Sequence, residues 1–255
     1  MRALLFLFLA GIALAVSSCS YNESAFADQS SGQSGSITRF AVFKGYMYAL
    51  NQNEVQTYRL KDDGDPDLIH RLPTDYGLET IFIYDNTIFL GSRTAMYILD
   101  ITNPAAPALL SKSDRQDSFF GGCDPVVVQG HYAFSTIKII QNICGRASSQ
   151  SALLVYDVAD KTAPEQIGIY PLNLPNGLGI KDHYLLVCDE GSDRVEVFDI
   201  SDPRALKPTL FSFSLEDPYD LIIRGETMIV STKTRFQLYD VRDMAAIRPA
   251  GSIAK

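Results

Sequence analysis

Short apolar segments with the same ending recur along this chain. In each one, mainly apolar residues lead into an aromatic or aliphatic residue and then a charged one: residues 55–59 (VQTYR), 96–100 (MYILD), 153–157 (LLVYD), 195–199 (VEVFD) and 236–240 (FQLYD). The last positions of successive segments are 41, 57, 42 and 41 residues apart. A self-similar pattern at a period of 20 to 50 residues indicates a repeat architecture. Residues 37–255 are therefore predicted to be five copies of one unit.

Each unit predicts four short strands, which we call A to D in chain order. The recurrent segment is strand C, and two apolar strands joined by a tight turn precede it. The turn signals are Lys44-Gly45, Asp85-Asn86, Gly130-His131, Asp182-His183 and Gly225-Glu226. A polar turn ending in proline leads to strand D, for example residues 166–172 or 209–215. Strands A and B are the most apolar, which indicates that A is innermost and D outermost.

Four-stranded antiparallel units at this spacing favour an all-β fold, a five-bladed β-propeller in which neighbouring blades cover each other's faces. A solenoid of sheets is the competing architecture. It would need polar end caps, and neither the first nor the last copy has more polar A and B strands than the others. No strand is left over to close the ring by sharing a blade. The apolar content of 46% is sufficient for a core of this size.

The segments MYILDITNP (residues 96–104) and VEVFDISDP (residues 195–203) resemble the LVIVD repeat. The resemblance covers residues 37–255 and implies a β-propeller of the kind found in secreted or lipid-anchored bacterial proteins without an assigned reaction. Copy one departs from the repeat with Arg59 in place of the aspartate. Copy five departs with Arg242, Asp243 and Met244 in place of the Asp-Pro turn.

The first 18 residues predict a signal peptide. Arg2 precedes an uncharged stretch of 14 residues, which is too short for a comfortable membrane span, and small residues follow before Cys19. This ending resembles the bacterial lipobox, which implies cleavage before Cys19 and lipid attachment to it; an ordinary secretory leader is the alternative. Residues 19–36 are predicted to be a flexible tether. The protein is therefore expected in the bacterial cell envelope, held in the outer membrane by its lipid.

The 57-residue interval contains two insertions in copy three. About four residues enter before strand A and about twelve between strands B and C, and both connections emerge on one face of a meander. Each insertion carries a cysteine, so a Cys123–Cys144 disulfide is predicted for the exported protein. Cys188 is expected to be a buried free thiol, although pairing with it stays an alternative. The recognition surface is predicted on these loops, with Phe119, Phe120, Asn142 and Arg146 as candidates.

Aligned starts of the inner strands bring three carboxylates toward one mouth of the central channel: Glu79, Asp124 and Asp220. They could hold a cation or perform acid–base chemistry on a glycosidic bond. The alternative is that they accept hydrogen bonds from loop amides or face water. The recurrent Asp100, Asp157, Asp199 and Asp240 are expected to cap the following turn through backbone hydrogen bonds.

No catalytic residue, cofactor or metal is assigned, because the three histidines are dispersed and no nucleophile, phosphate-loop or metalloprotease motif occurs. A formal net charge of −8 argues against nucleic acid as a partner. The sequence therefore predicts a monomeric, non-catalytic binding or scaffold module for a protein or glycan ligand. A glycan-active enzyme or cation-binding site at the channel mouth, and a purely structural envelope protein, are the alternatives.

Overall fold

The computed structural model describes residues 32–35, 37–92, 95–114, 125–138 and 151–255. Its strands form five antiparallel sheets within one compact unit, from Ser31 to Lys255, and the fold is a five-bladed β-propeller. Apart from two single turns of 3-10 helix, the described residues contain no helix. None of them therefore forms a helix that could cross a membrane.

Each blade contains consecutive strands, which confirms the predicted meander. Blades one and two consist of β2 (Phe40–Phe43), β3 (Tyr46–Asn51), β4 (Glu54–Arg59), β5 (Asp67–Pro73), β6 (Leu78–Tyr84), β7 (Thr87–Ser92), β8 (Ala95–Asp100) and β9 (Ala108–Asp114). Blade three consists of β10 (Val126–Gln129), β11 (Tyr132–Ile137), β12 (Ala152–Asp157) and β13 (Glu165–Pro171). Blades four and five consist of β14 (Pro175–Lys181), β15 (Tyr184–Asp189), β16 (Arg194–Asp199), β17 (Lys207–Pro208), β18 (Phe213–Ser214), β19 (Pro218–Arg224), β20 (Thr227–Thr232), β21 (Arg235–Asp240) and β22 (Arg248–Ala254). The first strands contact one another across blade boundaries, so strand A is innermost as predicted.

The outer strand of blade four differs from the prediction of one strand over residues 209–215. It is split into β17 and β18, which both pair with β16. Between them Thr209 Oγ1 accepts the N–H of Phe211 at 3.1 Å, and the chain turns outward so that Leu210 is fully exposed. A threonine side chain that bonds the backbone two residues on favours a turn over a ladder, which explains the interruption.

The A-to-B turns form where the sequence places them. Their first residues all have positive φ angles, between 48° and 59°: Lys44, Asp85, Gly130, Asp182 and Gly225. Left-handed backbone at this position matches the twist of two hydrogen-bonded strands, and Asp and Gly tolerate it better than β-branched residues. These turns fix the register of strands A and B in every blade.

The recurrent aspartates cap the turn after strand C, as predicted. Asp100, Asp157, Asp199 and Asp240 each accept the backbone N–H two residues on, at distances of 2.8, 3.1, 2.8 and 3.0 Å. A second turn of the same kind follows three residues later, at Asn103, Asp160, Asp202 and Asp243. The repeated acidic position is therefore structural in blades two to five.

Four apolar cores hold successive blades together, one at each boundary from blade one to blade five. Examples are Tyr48 with Ile81, Phe89 with Val126, Phe134 with Leu178, and Leu186 with Leu221, all at most 4% exposed. The described residues form no equivalent core between blades five and one. The ring therefore has one boundary that differs from the other four.

An additional strand, β1 (Gly32–Gly35), pairs with the free edge of β14 and also lies against β10 and β19. The pairing is antiparallel, with Gly32 opposite Lys181 and Gly35 opposite Leu178. The sequence includes these residues in the tether, because they offer nothing apolar to bury. Strand pairing needs only backbone groups, so the apolar pattern does not reveal it.

Candidate functional site

The D-to-A and B-to-C connections lie at one end of the ring, which we call the insertion face. At this end the carbonyl of Pro125, which follows the first insertion, accepts the N–H of Thr136 at 3.4 Å, two residues before Lys138. Ser151, which follows the second insertion, accepts the N–H of Leu172 through its carbonyl at 3.0 Å. The two insertions therefore have their roots at the same edge of blade three, where the sequence places them.

The inserted residues themselves lie outside the described part of the chain. This applies to the predicted recognition and disulfide positions and to one channel-mouth carboxylate: Phe119, Phe120, Cys123, Asp124, Asn142, Cys144 and Arg146. Cys19, the predicted lipidation site, also lies outside the described residues. Each of these assignments stays a prediction.

A polar cluster occupies the base of the insertions, and we call it the Lys138 cluster after its cation. Lys138 Nζ donates to Glu190 Oε2 at 2.6 Å and to Asn176 Oδ1 at 3.2 Å, and Asn176 Nδ2 donates to the same Glu190 oxygen at 3.0 Å. Thr136 Oγ1 donates to the Asn176 carbonyl at 2.7 Å. The cluster therefore ties the end of strand B in blade three to the first strand of blade four.

The burial of the Lys138 cluster makes its charges interact more strongly than surface charges would. Asn176 is 4% exposed, and the side chains of Lys138 and Glu190 are 17% and 35% exposed. The hydrogen bonds from Lys138 and Asn176 hold the pKa of Glu190 below its usual value, and Lys233 of blade five acts in the same direction. The carboxylate is therefore held ionised between two blades and close to a third.

Asp189 fixes the backbone beside this cluster. Its buried carboxylate accepts the N–H groups of Asn173 at 3.1 Å and Leu174 at 2.7 Å, and the Glu190 N–H donates to the Leu174 carbonyl at 3.1 Å. The D-to-A connection of blade four is thereby held against the end of its strand B. Glu190 and Asn176 consequently project from a rigid frame.

The carboxylate site predicted at the channel mouth stays a prediction, because Asp124 lies outside the described residues. The first strands of blades two, four and five each have a register shift near their start, at Leu78–Thr80, Pro175–Leu178 and Pro218–Asp220. Glu79 lies half-buried within the irregularity of blade two. Asp220 instead accepts the backbone N–H of Ile37 at 3.2 Å through Oδ2 and lies against Gly177. Asp220 therefore accepts a hydrogen bond from a backbone amide. This agrees with the alternative considered from the sequence, in which these carboxylates bond loop amides.

Cys188 is a buried free thiol, as predicted. It lies in the apolar core between blades four and five, and burial, with Asp220 nearby, raises its pKa well above the usual value. A thiol kept protonated is a weak nucleophile and a poor metal ligand. Among the described residues, no three His, Cys, Asp or Glu side chains are arranged to hold a metal ion.

A shallow cavity of about 310 Å³ lies between blades one and two near the same end of the ring. Its lining residues are Leu72, Pro73, Thr74, Asp75, Tyr97, Leu109 and Lys112. Asp75 Oδ2 accepts from Tyr97 Oη at 3.0 Å and pairs with Lys112 Nζ at 2.7 Å. Burial, with this hydrogen bond, raises the pKa of Tyr97 to about 12. The side chains of Asp75, Tyr97 and Lys112 in this cavity are therefore bonded to one another.

The Lys138 cluster was not predicted as a site from the sequence. A signal was present, because Lys138 is a cation at the end of the apolar strand YAFSTI, directly before the larger insertion. Asn176 also aligns with Glu79 at the start of the inner strand. Glu190 has no comparable signal in the sequence, because it lies in a turn of ordinary composition.

Neither a protein-family model nor a curated protein sequence matches this chain. The LVIVD resemblance therefore stays a prediction. Solved structures match over most of the chain. A functionally unknown protein from Desulfotomaculum acetoxidans DSM 771 aligns with a TM-score of 0.67 at 8% identity, over 85% of this chain and 69% of its own.

A Bacteroides uniformis protein assigned provisionally as a 6-phosphogluconolactonase aligns with a TM-score of 0.65 at 12% identity, over 84% of this chain and 70% of its own. A chain of a nidogen/laminin complex aligns with a TM-score of 0.54 at 15% identity, over 86% and 77%. Similarities at these identities support the fold and carry no activity over to this chain.

Proposed function

We propose that this protein is an envelope lipoprotein whose propeller is a non-catalytic binding scaffold, with the insertion face as its recognition surface. The observation that carries the proposal is the convergence of both insertion roots on the Lys138 cluster. Two irregular loops that leave from one rigid, charged base are a typical way for a regular scaffold to present a binding surface.

The contacts of Glu190, Asp220 and Cys188 support a binding role over a catalytic one. Glu190 is held ionised by Lys138 and Asn176, Asp220 holds the Ile37 N–H, and Cys188 is buried. A general acid needs a raised carboxyl pKa, and the shift at Glu190 is in the opposite direction. Among these groups, Glu190 bonds Lys138 at the root of the second insertion and is suited to fixing that root in place.

The recognition proposal is tested by replacing residues 139–150 with a short Gly-Ser linker in the full chain. A matched control replaces the exposed turn at residues 62–66, which lies at the opposite end of the ring, with Gly-Ser of equal length. We expect capture from envelope extract, and binding to a glycan array, to be lost only in the first variant. Equal recovery of ligands by both variants would place the recognition surface elsewhere.

The glycan-active alternative is tested on the same material with a panel of aryl glycosides. Hydrolysis by the natural chain that is abolished in Glu79→Gln or Asp124→Asn would overturn the non-catalytic proposal. We expect no hydrolysis above that of a heat-unfolded sample.

The lipid anchor is tested separately with Cys19→Ser. We expect the natural chain to partition with membranes and to incorporate a labelled fatty acid, and the variant to do neither. Unchanged membrane partitioning of the variant would exclude Cys19 as the anchor, whatever the outcome for the recognition surface.

A further inference from the structure

The N-terminal strand β1 runs through the ring from one end to the other. Its Gly32 lies opposite Lys181, the last residue of β14 before the A-to-B turn of blade four, and its Gly35 lies opposite Leu178. Ile37 then donates to Asp220 near the start of β19, at the insertion face. The chain therefore enters the centre of the ring at the end opposite the insertion face. We call this end the turn face, because it carries the A-to-B and C-to-D turns.

Contacts with several blades fix the path of this strand. β1 pairs with β14 and lies against β10 and β19, so it occupies the space between innermost strands. Beyond Ile37, the Thr38 carbonyl accepts the N–H of Ile81 at 3.1 Å, and the Arg39 carbonyl accepts the N–H of Leu50 at 2.8 Å. Blade one consequently begins at the insertion face, as the other blades do. The residues before Gly32 therefore connect to the ring from the turn face.

The number of residues between Gly32 and Cys19 limits where a lipid on Cys19 can lie. The two positions are 13 residues apart. A chain of that length spans at most about 45 Å when fully extended, and about 20 Å as a coil of the composition predicted for the tether. A route around a blade to the insertion face passes four strands and the length of one strand, together about 35 Å before side chains are counted. A bilayer at the turn face needs no such detour.

The turn face itself has little that would bind a bilayer. Of the exposed large hydrophobic side chains in the described part of the chain, none lies in an A-to-B or C-to-D turn. In the A-to-B turns, one cation, Lys44, is outnumbered by three carboxylates: Asp85, Asp182 and Glu226. Peripheral membrane binding depends on buried apolar area and on attraction between cations and anionic lipids. The orientation of the ring is therefore determined by the path of the chain that carries the lipid.

We propose that β1 sets the orientation of the propeller on its membrane, with the bilayer on the side of the turn face and the insertion face directed away from it. This inference rests on the lipid anchor and the recognition surface proposed above. It narrows the partner of the insertion face to a molecule outside the bilayer that holds the anchor, and it excludes the lipid headgroups of that bilayer.

The path of β1 is tested by crosslinking, in a full chain with Cys123→Ser and Cys144→Ser so that the predicted disulfide does not compete. Directly opposite residues of an antiparallel pair have Cα atoms about 5 Å apart, a distance that a disulfide spans. We expect Gly32→Cys with Lys181→Cys to crosslink on mild oxidation. The matched pair Ser34→Cys with Lys181→Cys is displaced by two residues and should not crosslink. Crosslinking of the second pair alone, or of neither, would overturn the proposal.

The orientation is measured by energy transfer, with the lipidated full chain in phosphatidylcholine vesicles that contain an acceptor lipid. In the same cysteine-to-serine background, a donor dye is attached at Glu226→Cys or at Lys233→Cys. These exposed residues flank β20, so the first lies at the turn face and the second at the insertion face. Cys188 does not compete for the dye, because it is buried. We expect greater transfer from Glu226→Cys. Equal transfer from both positions, or greater transfer from Lys233→Cys, would contradict the proposed orientation.

The role of β1 itself is isolated with Gln33→Pro and Ser34→Pro together, because two consecutive prolines remove a backbone donor whichever residue faces β14. We expect the difference in transfer between the two dye positions to decrease in this variant and to persist in the control Gln33→Ala with Ser34→Ala. A difference that survives the prolines would show that β1 does not set the orientation. A natural chain that does not float with vesicles in a density gradient would instead refute the lipid anchor itself, and this proposal with it.

Discussion

The backbone N–H of Ile37 donates a hydrogen bond to Oδ2 of Asp220 at 3.2 Å, across 183 positions of the sequence. This contact links the start of blade one to the first strand of blade five at the boundary that lacks an apolar core. Asp220 also forms a local hydrogen bond, because its Oδ1 accepts the N–H of Leu221 at 2.9 Å. The carboxylate therefore connects the two ends of the blade array.

Removing this carboxylate should destabilise the fold. We expect Asp220→Ala to lower the free energy of unfolding by about 2 kcal/mol, because a charge-assisted hydrogen bond is lost and a backbone donor loses its partner. Asp220→Asn keeps an acceptor and should cost less than half as much. Urea unfolding followed by circular dichroism measures both changes. Equal, negligible effects would show that the contact does not hold the ends together.

Gly177 is required by the close approach of Asp220. A Cβ at Gly177 would lie 2.1 Å from Asp220 Oδ1 and 2.7 Å from its Cα. Because backbone atoms are involved, a side-chain rotation cannot relieve the overlap. Gly177→Ala should therefore lower the free energy of unfolding by about 2 kcal/mol.

Gly251 is the matched control for this substitution. It also lies in a strand, and a Cβ added there has no atom within 4 Å. Gly251→Ala should leave the urea midpoint within experimental error. A loss of stability as large as that of Gly177→Ala would show that strand glycines are sensitive for a reason other than crowding.

Much of the fold could be predicted from the spacing of residues. The aspartates at 100, 157, 199 and 240 fix the repeat, and the turn residues from Lys44 to Gly225 fix the register of strands A and B. Both signals arise from local chemistry. The aspartates bond the backbone two residues on, and the turn residues adopt a left-handed conformation. Local chemistry of this kind is visible in a single sequence.

The features that escaped prediction depend on contacts between distant parts of the chain. Residues 32–35 pair with blade four through the backbone, and a pattern of side chains does not reveal this pairing. Asp220 was considered for a ligand site because its position relative to Ile37 cannot be derived from spacing. The Lys138 cluster likewise combines residues from two blades that are 52 positions apart.

The capped turns make stability depend on acidic pH. Hydrogen bonds from Thr102 and Ser201 lower the pKa values of Asp100 and Asp199, and Arg242 lowers the pKa of Asp240 to about 2. A carboxyl whose folded pKa is depressed stabilises the protein above its unfolded pKa, and this contribution is lost as pH falls toward the folded value. The stability should therefore decrease from about pH 4, near the ordinary value of 3.8, toward pH 2.

Asparagine at these three positions keeps the turn-capping acceptor and removes the titration. We expect the triple variant Asp100→Asn, Asp199→Asn and Asp240→Asn to lose less stability between pH 4 and pH 2 than the natural chain. Urea midpoints at several pH values measure the slope. The remaining slope comes from other carboxylates with lowered pKa values, including Asp75 and Asp160. Identical slopes in both proteins would contradict the assignment.

The Lys138–Glu190 pair should couple more strongly than an exposed pair of similar length. A double-mutant cycle with Lys138→Met and Glu190→Gln is expected to give a coupling energy of about 1 kcal/mol, because Lys138 is largely buried and Asn176 shares the carboxylate. The control is Lys61–Asp67, at 2.7 Å with side chains 40% and 50% exposed, which should give a coupling near zero. A coupling at Lys138 as small as the control would show that the cluster does not hold the insertion roots.

The predicted Cys123–Cys144 disulfide would connect the two insertions above this cluster. The roots of both loops are hydrogen bonded through Pro125 and Thr136, so the crosslink would extend a contact that already exists in the described part of the chain. Peptide mass analysis of exported protein without reduction should recover the two cysteines linked. Reduction should lower the free energy of unfolding by on the order of 3 kcal/mol. Cys188→Ala is the control, because this thiol is buried and free and its removal should leave the linked peptide unchanged. Alkylation of Cys123 and Cys144 in unreduced exported protein would refute the pairing, and the loops would then be held only by the cluster at their base.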